Sequence, residues 1–123
     1  MAVAAKTKLR NFIGGEAVDP VEGGMEDVVN PATAEAIASA PLSTKADVDA
    51  AVAAAKGAFE GWAATPPGER ARALLRIADM IEERGEQIAD LESADAGKPR
   101  GAVLEDEVPV MADNLRFFAG AAR

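Results

Sequence analysis

The sequence has 123 residues, enough for one small domain. Its net charge of −8, from 21 acidic and 13 basic residues, argues against nucleic acid as a partner, because such a protein would present a basic surface. Cysteine and histidine are both absent, which excludes disulfides, a thiolate nucleophile and the commonest general base. No apolar run is long enough to span a bilayer and no signal peptide is recognisable, so a cytoplasmic protein without a membrane partner is expected.

Residues 1–42 are predicted to be extended. Two short apolar runs, Asn11–Ile13 and Glu16–Val18, flank a Gly-Gly pair, which is typical of a tight β-hairpin. Residues 27–29 and 36–40 predict a further strand and a return strand, each closed by a proline-containing turn. The region is therefore predicted to be a set of short antiparallel strands.

Residues 43–123 are predicted to be helical, with three to four amphipathic helices. Thr44 is a suitable N-cap for the first helix, and Asp47 stands three residues later in the capping-box position. Apolar residues then recur at steps of three and four along one stripe, formed by Val48, Ala51, Val52, Ala55, Phe59 and Trp62. Phe59 and Trp62 are predicted to anchor the core, an interpretation favoured over a ligand platform.

The second helix is predicted to start at Thr65-Pro66-Pro67, because proline fits the first turn of a helix. The residues predicted to line its inner face are Leu74, Ile77, Ala78 and Ile81. Gly85 is a candidate break, beyond which Ile88 and Leu91 continue the apolar stripe. The sequence Ala96-Gly97-Lys98-Pro99 predicts the end of that run.

The last helix is predicted over residues 101–122, with Pro109 kinking or dividing it. Its apolar face is predicted to consist of Leu104, Val108, Met111, Leu115 and Phe118. Phe117 and Phe118 are adjacent, so one ring can face the core while the other needs a partner surface. Together these elements predict an α+β fold that is mainly helical.

The sequence contains few clusters of polar residues that could form a functional site, and the main one is the acidic run Glu105-Asp106-Glu107. One interpretation is a solvated helix face, where carboxylates near a helix start are favoured by the dipole. The other is an acidic rim that attracts a cationic substrate. No Gly-x-Gly-x-x-Gly loop and no nucleophile–base pair is present, so no catalytic or cofactor-binding residue is predicted.

Several short strings occur in an order that resembles the start of the aldehyde dehydrogenase superfamily. They are FIGGE at 12–16, VNPAT at 29–33, AFEGW at 58–62, ERARALL at 69–75, LES at 91–93 and GKP at 97–99. The final strings, DEVP at 106–109 and NLRFFAGAAR at 114–123, are most similar to the bacterial 4-aminobutyraldehyde dehydrogenases. The resemblance covers essentially the whole chain, about a quarter of a full-length member.

The resemblance implies an enzyme that oxidises an aldehyde, 4-aminobutanal or a related amino-aldehyde, to its carboxylate through a cysteine thiohemiacetal, with NAD or NADP as the cofactor. In family members the catalytic cysteine and the dinucleotide-binding core lie downstream. Residues 1–123 are therefore expected to be the N-terminal segment of the cofactor-binding domain, inactive alone and binding no cofactor alone. The implied partners are the remainder of the chain and further copies in a homo-oligomer.

The resemblance also implies two incomplete sites. The backbone carbonyls of Val28, Val29 and Asp95 match positions that help to bind a structural monovalent cation, with a further ligand outside this sequence. One helix matches an element at the substrate entrance, and its residues are Asp106, Glu107, Val110 and Met111. Glu107, with Asp106 beside it, is the candidate for contacting the ammonium of an amino-aldehyde.

The sequence departs from the family pattern at two positions. Relatives usually carry glycine where Ala34 stands and a bulkier polar residue where Ala96 stands. Ala34 is expected to alter the turn after Asn30-Pro31. An alternative to the enzyme segment is a stand-alone helical module, which would bind a partner or self-associate through apolar stripes left uncovered.

Overall fold

The computed structural model describes residues 7–123, in two compact units. The first unit ends at Ala63, and the second is Ala64–Arg123. Within the described range, five short strands precede the helices, which confirms the α+β, mainly helical fold class. The first six residues, which bear on the expected absence of a signal peptide, lie outside this range.

The strands form two small sheets. Strand β2 (Asn11–Ile13) pairs antiparallel with β3 (Glu16–Val18) across the predicted Gly-Gly turn. Both turn glycines have positive φ, as a two-residue hairpin turn requires. In the second sheet, the central strand β5 (Ala36–Pro41) pairs antiparallel with β4 (Met25–Val29) and parallel with β1 (Thr7–Lys8). The predicted hairpin and strand pair are confirmed, whereas β1 is two polar residues long and carries no pattern that would predict it.

The helices follow in the predicted order. They are α1 (Lys45–Ala64), α2 (Pro67–Glu83), α3 (Gly85–Ala96), α4 (Arg100–Ala102) and α5 (Val108–Ala121), with a π-helical turn at Val103–Glu107 before α5. The π turn ends two residues before Pro109, which confirms the predicted division of the last helix. Proline has no N–H and its ring collides with the carbonyl four residues earlier, and a widened turn relieves that collision.

Asp47 organises the first unit, and its side chain is buried. Its Oδ2 accepts hydrogen bonds from the Thr44 backbone N–H at 2.8 Å and the Thr44 hydroxyl at 3.2 Å. Its Oδ1 accepts from the Val21 backbone N–H at 2.8 Å. These donors lower the pKa of Asp47, the Thr44 amide most and the Val21 amide next, against the opposing effect of burial. One carboxylate therefore caps α1, as predicted, and also fixes the loop before β4.

Small residues form the closest packing in the second unit, where α2 lies against α5. The buried residues on these helices include Ala71, Ala78, Ala112 and Ala119. Ala89, Val103 and Val108 form a second buried cluster. Gly85 lies beside this cluster, and a Cβ there would be 3.1 Å from Cγ1 of Val108. Gly85 thus begins α3 and permits close packing, while the helix break expected at Gly85 falls at Arg84.

Several large apolar residues are exposed, contrary to prediction. Phe59 is 69% exposed and Trp62 is 54% exposed, so the prediction that they anchor the core is wrong. The other exposed large apolar members of the predicted inner faces are Val48, Val52, Ile77, Leu91, Met111 and Phe118. Phe117 and Phe118 make an edge-to-face contact with centroids 5.3 Å apart, and both rings are exposed. A periodic stripe predicts which face of a helix is apolar, but it does not show that another element covers that face.

Ala34 provides a test of backbone strain. Its φ is 60°, a left-handed conformation that costs an L-residue about 1–2 kcal/mol. Ala34→Gly removes this cost but increases the freedom of the unfolded chain, so we expect the free energy of unfolding to rise by about 0.5–1 kcal/mol in urea denaturation. Ala58→Gly, on the exposed surface of α1, is the matched control and should lower it by about 1 kcal/mol. If Ala34→Gly lowered the free energy of unfolding as much as the control does, the backbone of Ala34 would not be strained.

Asp47 predicts a pH dependence of stability. Because its pKa in the folded protein lies below the ordinary value of 3.8, its stabilisation is present above that value and is lost as the pH falls through the folded pKa. We expect Asp47→Asn to lower the thermal midpoint at pH 7 by several degrees and to flatten the loss of stability below pH 4. Asp49→Asn is the control, since Asp49 is an exposed residue of the same helix that pairs with Lys45. Equal effects of the two variants would refute the role of Asp47.

Candidate functional site

The candidate substrate-entrance residues are contiguous on the chain. Asp106 and Glu107 end the π turn, and Val110 and Met111 lie in the first turn of α5. Asp106, Val110 and Met111 are exposed, and Glu107 is half-buried. Residues three and four apart share one side of a helix, so Glu107 lies on the same side as Val110 and Met111. The segment therefore combines carboxylates with exposed apolar side chains.

Glu107 already has a cationic partner. Its Oε1 forms an ion pair with Nζ of Lys98, whose side chain is 39% exposed. The hydrogen bond from Lys98 to Glu107 is the main reason why the pKa of the Lys98 ammonium is raised, and the charge of Glu92 adds to it. Asp106, by contrast, forms no ion pair within residues 7–123. Two neighbouring carboxylates thus differ in how much of their charge is compensated.

The chain reversal after α3 places Lys98 opposite the π turn. Gly97, with φ of 70°, ends α3 in a left-handed cap and donates its N–H to the Ser93 carbonyl. Lys98 follows at once, before Pro99 begins the turn into α4. Sequence reasoning used Gly97-Lys98-Pro99 only as a helix end and as part of the resemblance, and it missed the pair with Glu107. The available signal was a lone lysine close to an acidic run, which does not identify its partner.

Two arginines brace the helices that carry this segment. Arg116 on α5 donates hydrogen bonds from its two terminal guanidinium nitrogens to the carboxylate of Glu82 on α2, at 2.7 and 2.6 Å, and one of them also donates to Asp79 at 3.0 Å. The pKa of Glu82 is lowered, chiefly by this hydrogen bond. Arg100 pairs with Asp90 and Glu86 on α3. The contacts of Arg116 hold α5 against α2, and those of Arg100 hold α4, which precedes the π turn, against α3.

The residues whose carbonyls are expected to bind a cation lie in β4 and at the end of α3. Val28 and Val29 lie where the pairing of β4 with β5 is interrupted, because Ile37 of β5 has no partner in β4. Asp95 lies in the last turn of α3, where carbonyls lack intrahelical partners. Val28 and Val29 belong to the first unit and Asp95 to the second, and their joint role stays a prediction. Among residues 7–123 no group of three or more acidic side chains could hold a metal ion.

No helix in the described part of the chain is long and apolar enough to cross a membrane. The sequence supplies no cysteine or histidine, and the polar groups near the π turn are carboxylates, lysine and arginine. Such groups can attract or repel charged ligands, but they include no thiolate that could form a thiohemiacetal with an aldehyde.

Comparison with known proteins identifies the family. Residues 18–123 match the model of the aldehyde dehydrogenase family. An acetaldehyde dehydrogenase from Pseudomonas aeruginosa is 40% identical over 121 residues, which is 98% of this chain and 24% of that protein. The NAD+ complex of an aldehyde dehydrogenase from Bacillus cereus superposes with a TM-score of 0.88 at 39% identity, covering 92% of this chain and 23% of that one.

A gamma-glutamyl-gamma-aminobutyraldehyde dehydrogenase from Burkholderia cenocepacia superposes with a TM-score of 0.89 at 36% identity. The match covers 97% of this chain and 24% of that one. This chain belongs to the aldehyde dehydrogenase family. It corresponds to an N-terminal segment of these proteins and spans about a quarter of their length.

Proposed function

We propose that this chain is the N-terminal segment of the cofactor-binding domain of an NAD(P)-dependent aldehyde dehydrogenase, which oxidises an aldehyde to its carboxylate. The observation that carries the proposal is the match across residues 18–123 together with superposition on solved family members. A bound NAD+ in the Bacillus cereus relative supports a nicotinamide cofactor for the complete enzyme.

The chain by itself contributes structure and not catalysis. A thiohemiacetal requires a cysteine, and the sequence has none. The partners proposed for this segment are the remainder of the dehydrogenase polypeptide, which would supply the cysteine and the dinucleotide site, and further copies in a homo-oligomer. The exposed Phe59, Trp62, Phe117 and Phe118 are consistent with faces that the remaining chain covers.

The preferred aldehyde is proposed to carry an ammonium group, as 4-aminobutanal does. Support comes from Asp106 and Glu107, which place negative charge beside the apolar Val110 and Met111. An amino-aldehyde presents a cation joined to a methylene chain, so this combination suits both of its parts. The Burkholderia relative, whose name includes an aminobutyraldehyde, adds support at the level of the family.

The enzymatic proposal is tested by comparing two polypeptides. The complete polypeptide that carries this segment should reduce NAD or NADP in the presence of 4-aminobutanal, as followed by absorbance of the reduced cofactor. The 123-residue chain should give no signal above the uncatalysed rate, because it has no cysteine. Absence of turnover by the complete polypeptide with both 4-aminobutanal and butanal would refute the proposal.

The amino-aldehyde preference is tested by reversing one charge. In the complete enzyme, Glu107→Lys should raise KM for 4-aminobutanal about three- to tenfold, because a partly exposed ion pair contributes modestly and the reversal adds repulsion. KM for butanal, which has no charge, should change less than about twofold. An unchanged KM for 4-aminobutanal would exclude contact between Glu107 and the ammonium.

A second candidate function is a helical interaction or self-association module. The observation that favours it is the exposed apolar stripe of α1, with Val48, Val52, Phe59 and Trp62 all exposed. Sedimentation of the 123-residue chain distinguishes the two candidates. A concentration-dependent oligomer with a defined stoichiometry would favour the module.

A further inference from the structure

We propose that Lys98 is a specificity-determining residue, which lowers the affinity of the acidic entrance for a cationic aldehyde by neutralising Glu107. This inference rests on the proposed function, since it takes residues 106–111 as the substrate entrance. Lys98 competes with the ammonium of the substrate for the carboxylate of Glu107.

The geometry gives the first argument. Nζ of Lys98 is paired with Oε1 of Glu107, and the two side chains remain 39% and 36% exposed. The ammonium of an amino-aldehyde has the same charge and the same hydrogen-bonding capacity as the lysine head group. A substrate that binds Glu107 must therefore displace Lys98 or approach a carboxylate whose charge is already compensated.

The surrounding charges give the second argument. Lys98 pairs with Glu107 on the π turn, and the hydrogen bond and charge of Glu107, together with the charge of Glu92 on α3, raise the pKa of its ammonium. Its positive charge therefore persists throughout the physiological range, where 4-aminobutanal is also a cation. Like charges repel, so Lys98 opposes the cation that Glu107 attracts.

Asp106 is the group left to attract the substrate. It is exposed, it adjoins Glu107, and it forms no ion pair among the described residues. Asp106 and Val110 are four residues apart and so lie on one side of the chain. While Lys98 is paired with Glu107, the ammonium is therefore expected to interact with Asp106. Removal of Lys98 would make Glu107 available as well.

The test uses the complete enzyme and two aldehydes with the same four-carbon chain, 4-aminobutanal and butanal. Lys98→Met should lower KM for 4-aminobutanal about two- to fivefold, the range that corresponds to one partly exposed ion pair. KM for butanal and kcat for both aldehydes should stay unchanged. Lys98→Arg should behave like the wild type, because arginine keeps the positive charge. The double variant Lys98→Met/Glu107→Gln should return KM for 4-aminobutanal to its original value.

Lys45→Met is the matched control. It makes the same substitution and releases another carboxylate, Asp49, on α1 in the first unit. It should leave both KM values unchanged. An effect of Lys98→Met that is equal for the two aldehydes would show a structural role and overturn the proposal, as would an effect reproduced by Lys45→Met.

A binding measurement tests the role of Lys98 without an activity assay. Titration of the protein with n-butylammonium chloride, followed by NMR shifts of the amides of residues 106–108, 110 and 111, should show tighter binding after Lys98→Met, and butanol should cause no such shifts. Equal n-butylammonium affinity in the two proteins would overturn the role of Lys98. If the complete polypeptide oxidises neither aldehyde, the proposed enzymatic function fails, while this titration still tests Lys98 independently.

Discussion

The close contact between α2 and α5 is the constraint on which the second unit depends. Apart from Val108, the buried residues on these helices are alanines, and short side chains let two helices approach more closely than leucine or phenylalanine would. That proximity lets Arg116 on α5 reach Glu82 and Asp79 on α2. The position of α5 in turn fixes the π turn before it, because Val108 packs into the cluster with Ala89 and Val103. The acidic residues of the π turn are thus positioned by contacts between small apolar residues.

Ion pairs in this protein matter more for the distribution of charge than for stability. The pairs of Lys98, Arg100 and Arg116 are all partly exposed, and such pairs contribute little to the free energy of unfolding. They nevertheless determine which carboxylates remain uncompensated. In the acidic run 105–107, Glu107 is neutralised by Lys98 whereas Asp106 forms no ion pair within residues 7–123, so the run carries less negative charge than its three carboxylates suggest.

The exposed aromatic residues are consistent with a segment that functions within a larger protein. The chain spans about a quarter of its relatives' length, and its apolar stripes on α1 and α5 retain large side chains on the surface. In the proposed enzyme these faces would meet the remaining polypeptide. The buried interior described here consists mainly of alanine and valine, and burial of such small residues contributes less stabilisation per residue than burial of aromatic side chains.

The sequence by itself determined the local structure. The Gly-Gly turn, the Thr44–Asp47 cap, the proline start of α2 and the division before Pro109 all follow from conformational preferences of a few adjacent residues, and each is present. The ordered family strings likewise identified the family without reference to the fold.

Tertiary structure decided burial and pairing. The apolar stripes did not reveal that α2 and α5 would meet through alanines while Phe59, Trp62 and Phe118 stay exposed, because periodicity contains no information about the opposing surface. The sequence predicts a helix break at Gly85, and only the position of Val108 shows that the absence of a Cβ at Gly85 leaves room for the Val108 side chain. The pairing of Lys98 with Glu107 depends on the chain reversal at Gly97 and on the π turn, so nothing short of the folded chain brings these charges together.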